Sequence, residues 1–129
     1  LGCEIVGVVA EGAAGAKLSV EAGVLVETNA ATTFADGMAV RVPVQAAFDI
    51  YSIGAARIGM VSDAEIAEAV RLYYTATHNL AEGSGAAGLA LALQEKDRNR
   101  GRKVGLILSG GNIDRPLYRT VLDGGVPAA

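Results

Sequence analysis

The chain has 129 residues, of which 51% are apolar and only 19% are charged, so it is long and apolar enough to fold as one domain and is not disordered. Its net charge of −3, without a basic patch, argues against nucleic-acid binding. No apolar run approaches the roughly 18 residues of a membrane span, so we expect no membrane partner. The single cysteine, Cys3, leaves no internal disulfide, and we therefore expect a reducing, cytoplasmic location.

The first third of the chain predicts a strand, a helix and a loop. The β-branched run at residues 4–9 is typical of a buried strand. Residues 13–22 predict a helix, and Gly23 can end it because glycine adopts the left-handed conformation at a helix C-terminus. Residues 32–42 lack a regular period and contain the turn signal Asp36-Gly37, so they predict a loop.

The middle third predicts a helix, a strand and a second, better defined helix. Residues 43–53 predict a helix that begins with a proline, a residue favoured in the first helical turn. Residues 57–61 predict a strand. Ser62 and Glu65 then have the spacing of a capping box, which marks a helix N-terminus. The following apolar residues repeat at helical spacing, and we expect this helix to end near Asn79.

The last third predicts two helices separated by a strand. Residues 82–95 begin with a glycine-rich stretch and become helical, and residues 114–122 predict a short helix. Residues 103–108 are continuously apolar after the lysine, which is typical of a central parallel strand. Strands thus alternate with helices, which predicts an α/β fold in three layers, with a mostly parallel sheet flanked by helices, as a single unit over residues 1–129.

Two segments could hold a ligand. In open α/β sheets ligands lie beyond the carboxyl ends of the strands, and Ser109 to Asn112 directly follow the third predicted strand. This segment fits a small-molecule site and a tight turn with a capping asparagine equally well. The stretch from Glu82 to Gly88 could cradle an anion at a helix N-terminus, but dense packing through small residues is the favoured interpretation. For Asp36-Gly37, a plain turn is likewise favoured over a carboxylate that faces a cleft.

Five segments follow one another in an order that is characteristic of one enzyme family. They are residues 4–13 (EIVGVVAEGA), 33–43 (TFADGMAVRVP), 61–74 (VSDAEIAEAVRLYY), 77–91 (THNLAEGSGAAGLAL) and 104–114 (VGLILSGGNID). In this order they resemble the C-terminal part of the threonine dehydratases, also called threonine ammonia-lyases, and of the related serine racemases. The motif LSGGNID is the most specific, and the resemblance extends over about residues 4–122.

The resemblance implies the second, tryptophan-synthase-like fold of pyridoxal-phosphate (PLP) enzymes, with this chain as the C-terminal portion of the large PLP-binding domain. It implies that Ser109 hydrogen-bonds the pyridine nitrogen of the cofactor, and that Gly37, Glu82 and Asn112 lie near the same pocket. A neutral hydroxyl does not force a proton onto the ring nitrogen, which suits elimination at Cβ. The implied reaction converts hydroxy-amino acids to 2-oxo acids and ammonia.

The lysine that forms the Schiff base in this family has no counterpart here, because Lys17, Lys96 and Lys103 do not match its motif. The family's phosphate loop would precede residue 4. We therefore expect a fragment that has no catalytic residue of its own, does not bind PLP alone and is inactive alone. A second hypothesis is a non-catalytic, self-associating α/β module, and a third is a serine racemase-like or other β-eliminating enzyme.

The resemblance also bears on metals and partners. Metal-binding relatives place carboxylates at the positions of Val9 and Gly15, and Ala13 offers only a carbonyl, so we expect no divalent metal. The parent enzyme would take a small amino acid as its substrate. An uncovered sheet edge is prone to association, so we expect a homo-oligomer.

Overall fold

The computed structural model describes residues 2–129, which form two parallel strands and five α-helices. The strands are β1 (Val6–Ala10) and β2 (Arg57–Val61). The helices are α1 (Gly15–Ala22), α2 (Gln45–Gly54), α3 (Asp63–Thr77), α4 (Gly83–Gln94) and α5 (Arg115–Leu122). Single 3-10 turns lie at Glu11–Ala13 and Asp36–Met38. None of the helices in the described range is long and apolar enough to cross a membrane.

The two strands form a parallel pair in which Val6 lies opposite Arg57 and Ala10 lies opposite Val61. Parallel strands need a crossover connection, and α1 and α2 provide it. Helix α1 packs on β2 and on α2, whereas α4 packs on both strands and on α3. The predicted α/β class with a parallel sheet is therefore confirmed.

Helix α4 approaches the sheet closely because small residues line the contact. A Cβ atom at Gly59 of β2 would lie 2.6 Å from Leu91 Cδ2, closer than two carbon atoms approach, so a larger residue there would require the Leu91 side chain to move. The largest fully buried side chains are aliphatic, namely Val61, Ile66, Val70 and Val121. The core consequently lies between α3, α4 and the strands, with α5 adding to it through its one buried valine.

The local signals for helix ends are confirmed by the structure. The Ser62 hydroxyl accepts a hydrogen bond from the Glu65 amide at 3.3 Å, and the Glu65 carboxylate accepts one from the Ser62 amide at 2.8 Å. Gly23 ends α1 with a φ of 70°. Helix α3 ends at Thr77, two residues before the predicted end, because His78 adopts a left-handed conformation with a φ of 57°.

The prediction of a third strand at residues 103–108 is wrong. No strand is formed in this segment, and no backbone hydrogen bond pairs it with another strand among residues 2–129. Val104 and Ile107 are 49% and 83% exposed. An apolar run becomes a strand only when a neighbouring backbone satisfies its N–H and C=O groups, and the described sheet ends at its two strands.

Candidate functional site

A cavity of about 270 Å³ lies where three segments distant in sequence meet. The first is the loop at the 3-10 turn Asp36–Met38, the second is the N-terminus of α4, and the third runs from Asn112 into α5. Ala128 and Ala129, beyond α5, complete the lining. The residues that line it are Thr33, Phe34, Asp36, Glu82, Gly83, Asn112, Ile113, Asp114, Leu117, Ala128 and Ala129. Polar and charged groups from all three segments therefore face one space.

The first wall of the cavity is held from beneath by Asp63, the first residue of α3. The Thr33 hydroxyl donates a hydrogen bond to Asp63 Oδ1 at 2.5 Å, and the Phe34 amide donates one to Asp63 Oδ2 at 3.1 Å. The Ala35 amide donates in turn to the Thr33 hydroxyl at 3.1 Å. Thr33, Phe34 and Ala35 are all buried, so the Thr33 hydroxyl and the amides of Phe34 and Ala35 depend on these bonds for their hydrogen-bond partners.

The pair Asp36-Gly37 forms the predicted turn, because the Asp36 carboxylate accepts a hydrogen bond from the Gly37 amide at 2.8 Å. Gly37 lies against the N-terminus of α4. A Cβ atom at this position would lie 2.8 Å from Ser84 Oγ and 3.9 Å from Glu82 Oε1. The Ser84 hydroxyl is buried and has no hydrogen-bond partner among the described residues. Because Gly37 has no side chain, the turn can lie close to the Ser84 hydroxyl and the Glu82 carboxylate.

Glu82 is the N-cap residue of α4 and connects two walls of the cavity. Its amide donates a hydrogen bond to the Gly110 carbonyl oxygen at 3.1 Å. Its carboxylate lies against the backbone of Gly110, where an added Cβ atom would overlap Oε1. The carboxylate is therefore placed between Gly37 on one side and Gly110 on the other.

The glycine-rich start of α4 packs densely, which confirms the favoured interpretation of that stretch. Gly83 and Gly85 are buried. A Cβ atom at Gly83 would lie 2.9 Å from Ala35 Cα, and one at Gly85 would overlap the Gly110 carbonyl oxygen. These glycines let both loops approach the first turn of the helix.

The segment after the expected third strand is divided by the structure. Asn112 lines the cavity, and Asp114, rather than the asparagine, is the N-cap residue of α5. Ser109 is exposed and lies outside the lining, one residue before the glycine that touches Glu82. The structure therefore brings Glu82, Asn112 and Gly37 together and leaves Ser109 at the margin of the group.

Helix α5 forms the last wall and is held by an aromatic contact. The rings of Tyr118 and Tyr74 are 6.2 Å apart and nearly perpendicular. Burial raises the pKa of the Tyr118 phenol above its ordinary value, and the neighbouring Tyr74 raises it further. The phenol is accordingly neutral near pH 7 and holds α5 to α3 by apolar contact, beside the lining residue Leu117.

The lysines lie away from the cavity. The Lys17 ammonium pairs with Glu21 at 2.6 Å and donates to the Ile58 carbonyl oxygen at 3.3 Å. Lys96 and Lys103 are exposed, and none of the three lines the cavity. Among residues 2–129, no group of three His, Cys, Asp or Glu side chains is arranged to hold a metal ion.

Sequence reasoning did not identify Thr33, Asp63 and Ser84 as parts of the site. Asp63 has the local pattern of a residue in a capping box, and that pattern carries no information about the loop 30 residues earlier. Thr33 and Ser84 sit in segments that the resemblance includes, but no spacing rule singles them out.

The fold agrees with the comparisons to known proteins. The family model described as pyridoxal-phosphate dependent enzyme matches residues 2–110. The chain therefore belongs to the family of pyridoxal-phosphate dependent enzymes. It is 34% identical to the L-threonine ammonia-lyase of Geobacter sulfurreducens over 125 residues, which cover 97% of this chain and 31% of that protein.

Two further proteins define the similarity. The chain is 33% identical to the L-threo-3-hydroxyaspartate ammonia-lyase of Saccharomyces cerevisiae over 95% of its length and 38% of the relative's. The solved structure of maize serine racemase matches with a TM-score of 0.81 and 26% identity, over 94% of this chain and 38% of that one. The fold is thus that of the fold type II PLP enzymes, and the chain spans about a third of the length of these relatives.

Proposed function

We propose that this chain is the C-terminal portion of the large domain of a PLP-dependent ammonia-lyase that acts on hydroxy-amino acids, and that Gly37, Glu82, Ser109 and Asn112 face the cofactor. The observation that carries the proposal is that three separate segments meet at one cavity. There the Glu82 carboxylate lies against Gly110 and near Gly37. The family membership gives the cofactor its chemical identity.

The residues present fit the ring of PLP, which is flat and carries polar atoms at its edge. Gly37 and Gly110 have no Cβ atom where Ser84 and the Glu82 carboxylate lie, so the two loops can pack close to Glu82, whose side chain lines the cavity that would take the ring. The unpartnered hydroxyl of Ser84 and the amide of Asn112 add polar groups that can donate or accept hydrogen bonds.

Each side chain has a role that follows from its chemistry. When bound, PLP supplies an electron sink that weakens the bonds at the Cα atom of an amino acid. The exposed hydroxyl of Ser109 can hydrogen-bond a ring nitrogen without carrying a charge. The Glu82 carboxylate accepts hydrogen bonds and so can orient donor groups that enter the cavity. The Asn112 amide, in the segment that leads into α5, can hydrogen-bond a polar edge of the cofactor.

The isolated chain is expected to be inactive because it cannot supply the amine that such chemistry requires. Lys17 is engaged with Glu21 and the sheet, and Lys96 and Lys103 lie outside the lining. An active enzyme would need an amine delivered to the cavity by another segment or another chain.

The substrate class proposed is a small amino acid with a β-hydroxyl group. The two ammonia-lyases named above act, by their names, on L-threonine and L-threo-3-hydroxyaspartate. The similarity to maize serine racemase supports, as a second candidate, a racemase-like enzyme on the same site. A ketoacid product would favour the lyase, whereas an inverted amino acid would favour the racemase.

The test uses this chain as it is. Stable binding of PLP by this chain alone is not expected, because no lysine lines the cavity. A large excess of pyridoxine 5′-phosphate, which has no aldehyde, is expected to contact the site weakly and to shift the backbone amide resonances of Gly37, Gly110 and Asn112. Glu82→Gln and Ser109→Ala should weaken the response, whereas Ser52→Ala in α2 should not. A titration with PLP and L-threonine should show no lysine-bound absorbance and no 2-oxobutyrate. If the resonance shifts in Glu82→Gln and Ser109→Ala equal those in the unmodified chain, the assignment of these two residues to the cofactor site is contradicted.

A second proposal is that the chain self-associates. Three isoleucines are largely exposed, Ile50 and Ile53 of α2 at 74% and 87% and Ile107 at 83%. Ile107 lies in residues 103–108, an apolar segment whose backbone pairs with no strand among the described residues, and exposed apolar groups beside unpaired backbone favour association. Sedimentation at micromolar concentration should show a dimer or larger species, and Ile53→Glu together with Ile107→Glu should shift it toward monomer. A monomer for the unmodified chain would contradict the proposal.

A further inference from the structure

The loop that forms the first wall of the cavity has an anchor outside the cavity. Asp63 lies at the first position of α3, and each of its two carboxylate oxygens accepts a hydrogen bond from the loop. One bond comes from the Thr33 hydroxyl and the other from the Phe34 amide. A carboxylate at the first turn of a helix is also stabilised by the helix dipole, so this acceptor is both charged and fixed in place.

The anchored residues are the ones that press on the N-terminus of α4. Phe34 and Ala35 are 7% and 0% exposed, and a Cβ atom at Gly83 would lie 3.0 Å from the Phe34 ring and 2.9 Å from Ala35 Cα. Two residues further on, Gly37 lies beside Ser84 and Glu82. A shift of the loop by a fraction of an ångström would therefore change the space next to the Glu82 carboxylate.

We propose that Asp63 is a positioning residue: through Thr33 and Phe34 it sets the distance between the Asp36-Gly37 turn and the Glu82 carboxylate. Asp63 does not line the cavity and acts only through the loop. The inference extends the proposed function, because the space that Asp63 controls is the one assigned to the cofactor. The bonds themselves can be tested without any cofactor.

The first experiment measures amide hydrogen exchange in three variants. Asp63→Ala and Thr33→Val should each speed exchange of the Phe34 and Ala35 amides by about tenfold or more, since a buried charged or hydroxyl acceptor is lost. Thr33→Ser keeps the hydroxyl and should retain protection. Thr33→Val does not alter α3, so exchange of the α3 amides should stay as in the unmodified chain. This control distinguishes release of the loop from loss of the helix.

The second experiment reads the position of the loop directly. The chain has two phenylalanines, Phe34 in the loop and Phe48 in α2, so labelling with 4-fluorophenylalanine gives two fluorine signals. The Phe34 signal should move or broaden in Asp63→Ala and Thr33→Val and stay in Thr33→Ser. The Phe48 signal is the internal control and should not change.

The outcomes separate the anchor from the cofactor proposal. If Phe34 exchange and its fluorine signal are unchanged in both Asp63→Ala and Thr33→Val, Asp63 does not position the loop. If they change as expected, pyridoxine 5′-phosphate should bind several-fold more weakly to Asp63→Ala than to Thr33→Ser. Failure of every variant and of the unmodified chain to bind this probe would reject the proposed function and leave the anchor intact. Equal affinity for both variants would reject the positioning role.

Discussion

The amide of Glu82 donates a hydrogen bond to the carbonyl oxygen of Gly110, while the carboxylate of the same residue lies against the Gly110 backbone. One residue thus ties the N-terminus of α4 to the segment that leads into α5. The two partners are 28 positions apart in sequence, and a side chain at position 110 would collide with the Glu82 carboxylate in its present place. The candidate site depends on this contact.

Two glycines of α4 should respond oppositely to alanine. At Gly85 an added methyl group would overlap the Gly110 carbonyl oxygen, so Gly85→Ala should lower the free energy of unfolding by about 1–3 kcal/mol. At Gly88 nothing lies within 4 Å, so Gly88→Ala should raise it by about 0.5–1 kcal/mol through better helix propensity. Urea unfolding of both variants checks the pair, and equal effects would show that the two segments do not touch as described.

The capping box of α3 should make stability depend on pH. The backbone hydrogen bond from Ser62 is the main reason that the pKa of Glu65 is lowered from its usual value, with burial opposing it and bonds from the Ser62 hydroxyl and Gln94 adding to it. Because the folded pKa is depressed, the contribution is present above the unfolded pKa and is lost as the pH falls through the folded pKa. Glu65→Gln should therefore be less stable than the unmodified chain near neutral pH, and the gap should narrow in acid.

The comparison is made by urea unfolding at about pH 7 and about pH 3, on either side of the carboxyl titration. Ser62→Ala serves as the companion variant and should cost about 1 kcal/mol near neutral pH through loss of the cap. A gap between Glu65→Gln and the unmodified chain that stays constant over this range would contradict the assigned role of the carboxylate.

The ion pair between Arg57 of β2 and Glu95 at the end of α4 should be worth more than a surface pair. Arg57 Nη1 donates to Glu95 Oε1 at 2.7 Å, a second bond joins the other two atoms, and the side chains are only 25% and 19% exposed. Glu95→Ala should lower the free energy of unfolding by about 1–2 kcal/mol, since it leaves a partly buried guanidinium without its partner.

A matched surface pair provides the control for that experiment. Arg100 and Asp97 are 2.9 Å apart, but their side chains are 83% and 76% exposed. Asp97→Ala should change the free energy of unfolding by less than about 0.5 kcal/mol. If both acidic variants lose the same stability, partial burial does not distinguish the two pairs.

Arg71 should secure the C-terminal end of α5. Its Nη1 donates to the carbonyl oxygens of Val121 at 3.0 Å and of Gly125 at 3.3 Å, and the Gly124 amide donates a further hydrogen bond to Val121. Arg71→Met keeps the aliphatic stem and should cost about 1–2 kcal/mol. Glu68→Gln removes only the exposed partner of the arginine and should have little effect. Amide hydrogen exchange at Gly124 and Gly125 should become faster in Arg71→Met and stay unchanged in Glu68→Gln.

The local structure of this chain could be predicted from its sequence, because the signals are themselves local. The strand at residues 57–61 and the Ser62–Glu65 capping box lie where their patterns place them. Gly23 ends α1 for the reason that its lack of a side chain suggests. For the capping box and for Gly23 the hydrogen-bond partners or the steric limits lie within a few residues of one another, whereas the strand is predicted by its residue types and pairs with β1, where Val6 lies opposite Arg57. The family motifs also predict the fold, because they can be recognised directly in the sequence.

The tertiary structure alone decided which segments pair and which meet. Residues 103–108 have the composition of a central strand, yet a strand needs a neighbouring backbone, and the described residues offer none to them. The bonds from Thr33 and Phe34 to Asp63 join positions about 30 residues apart, and the contact of Glu82 with Gly110 is equally distant. Such contacts depend on the packing of α3 and α4, which no short pattern encodes. The sequence therefore determined the elements and the family, and packing determined the geometry of the cavity.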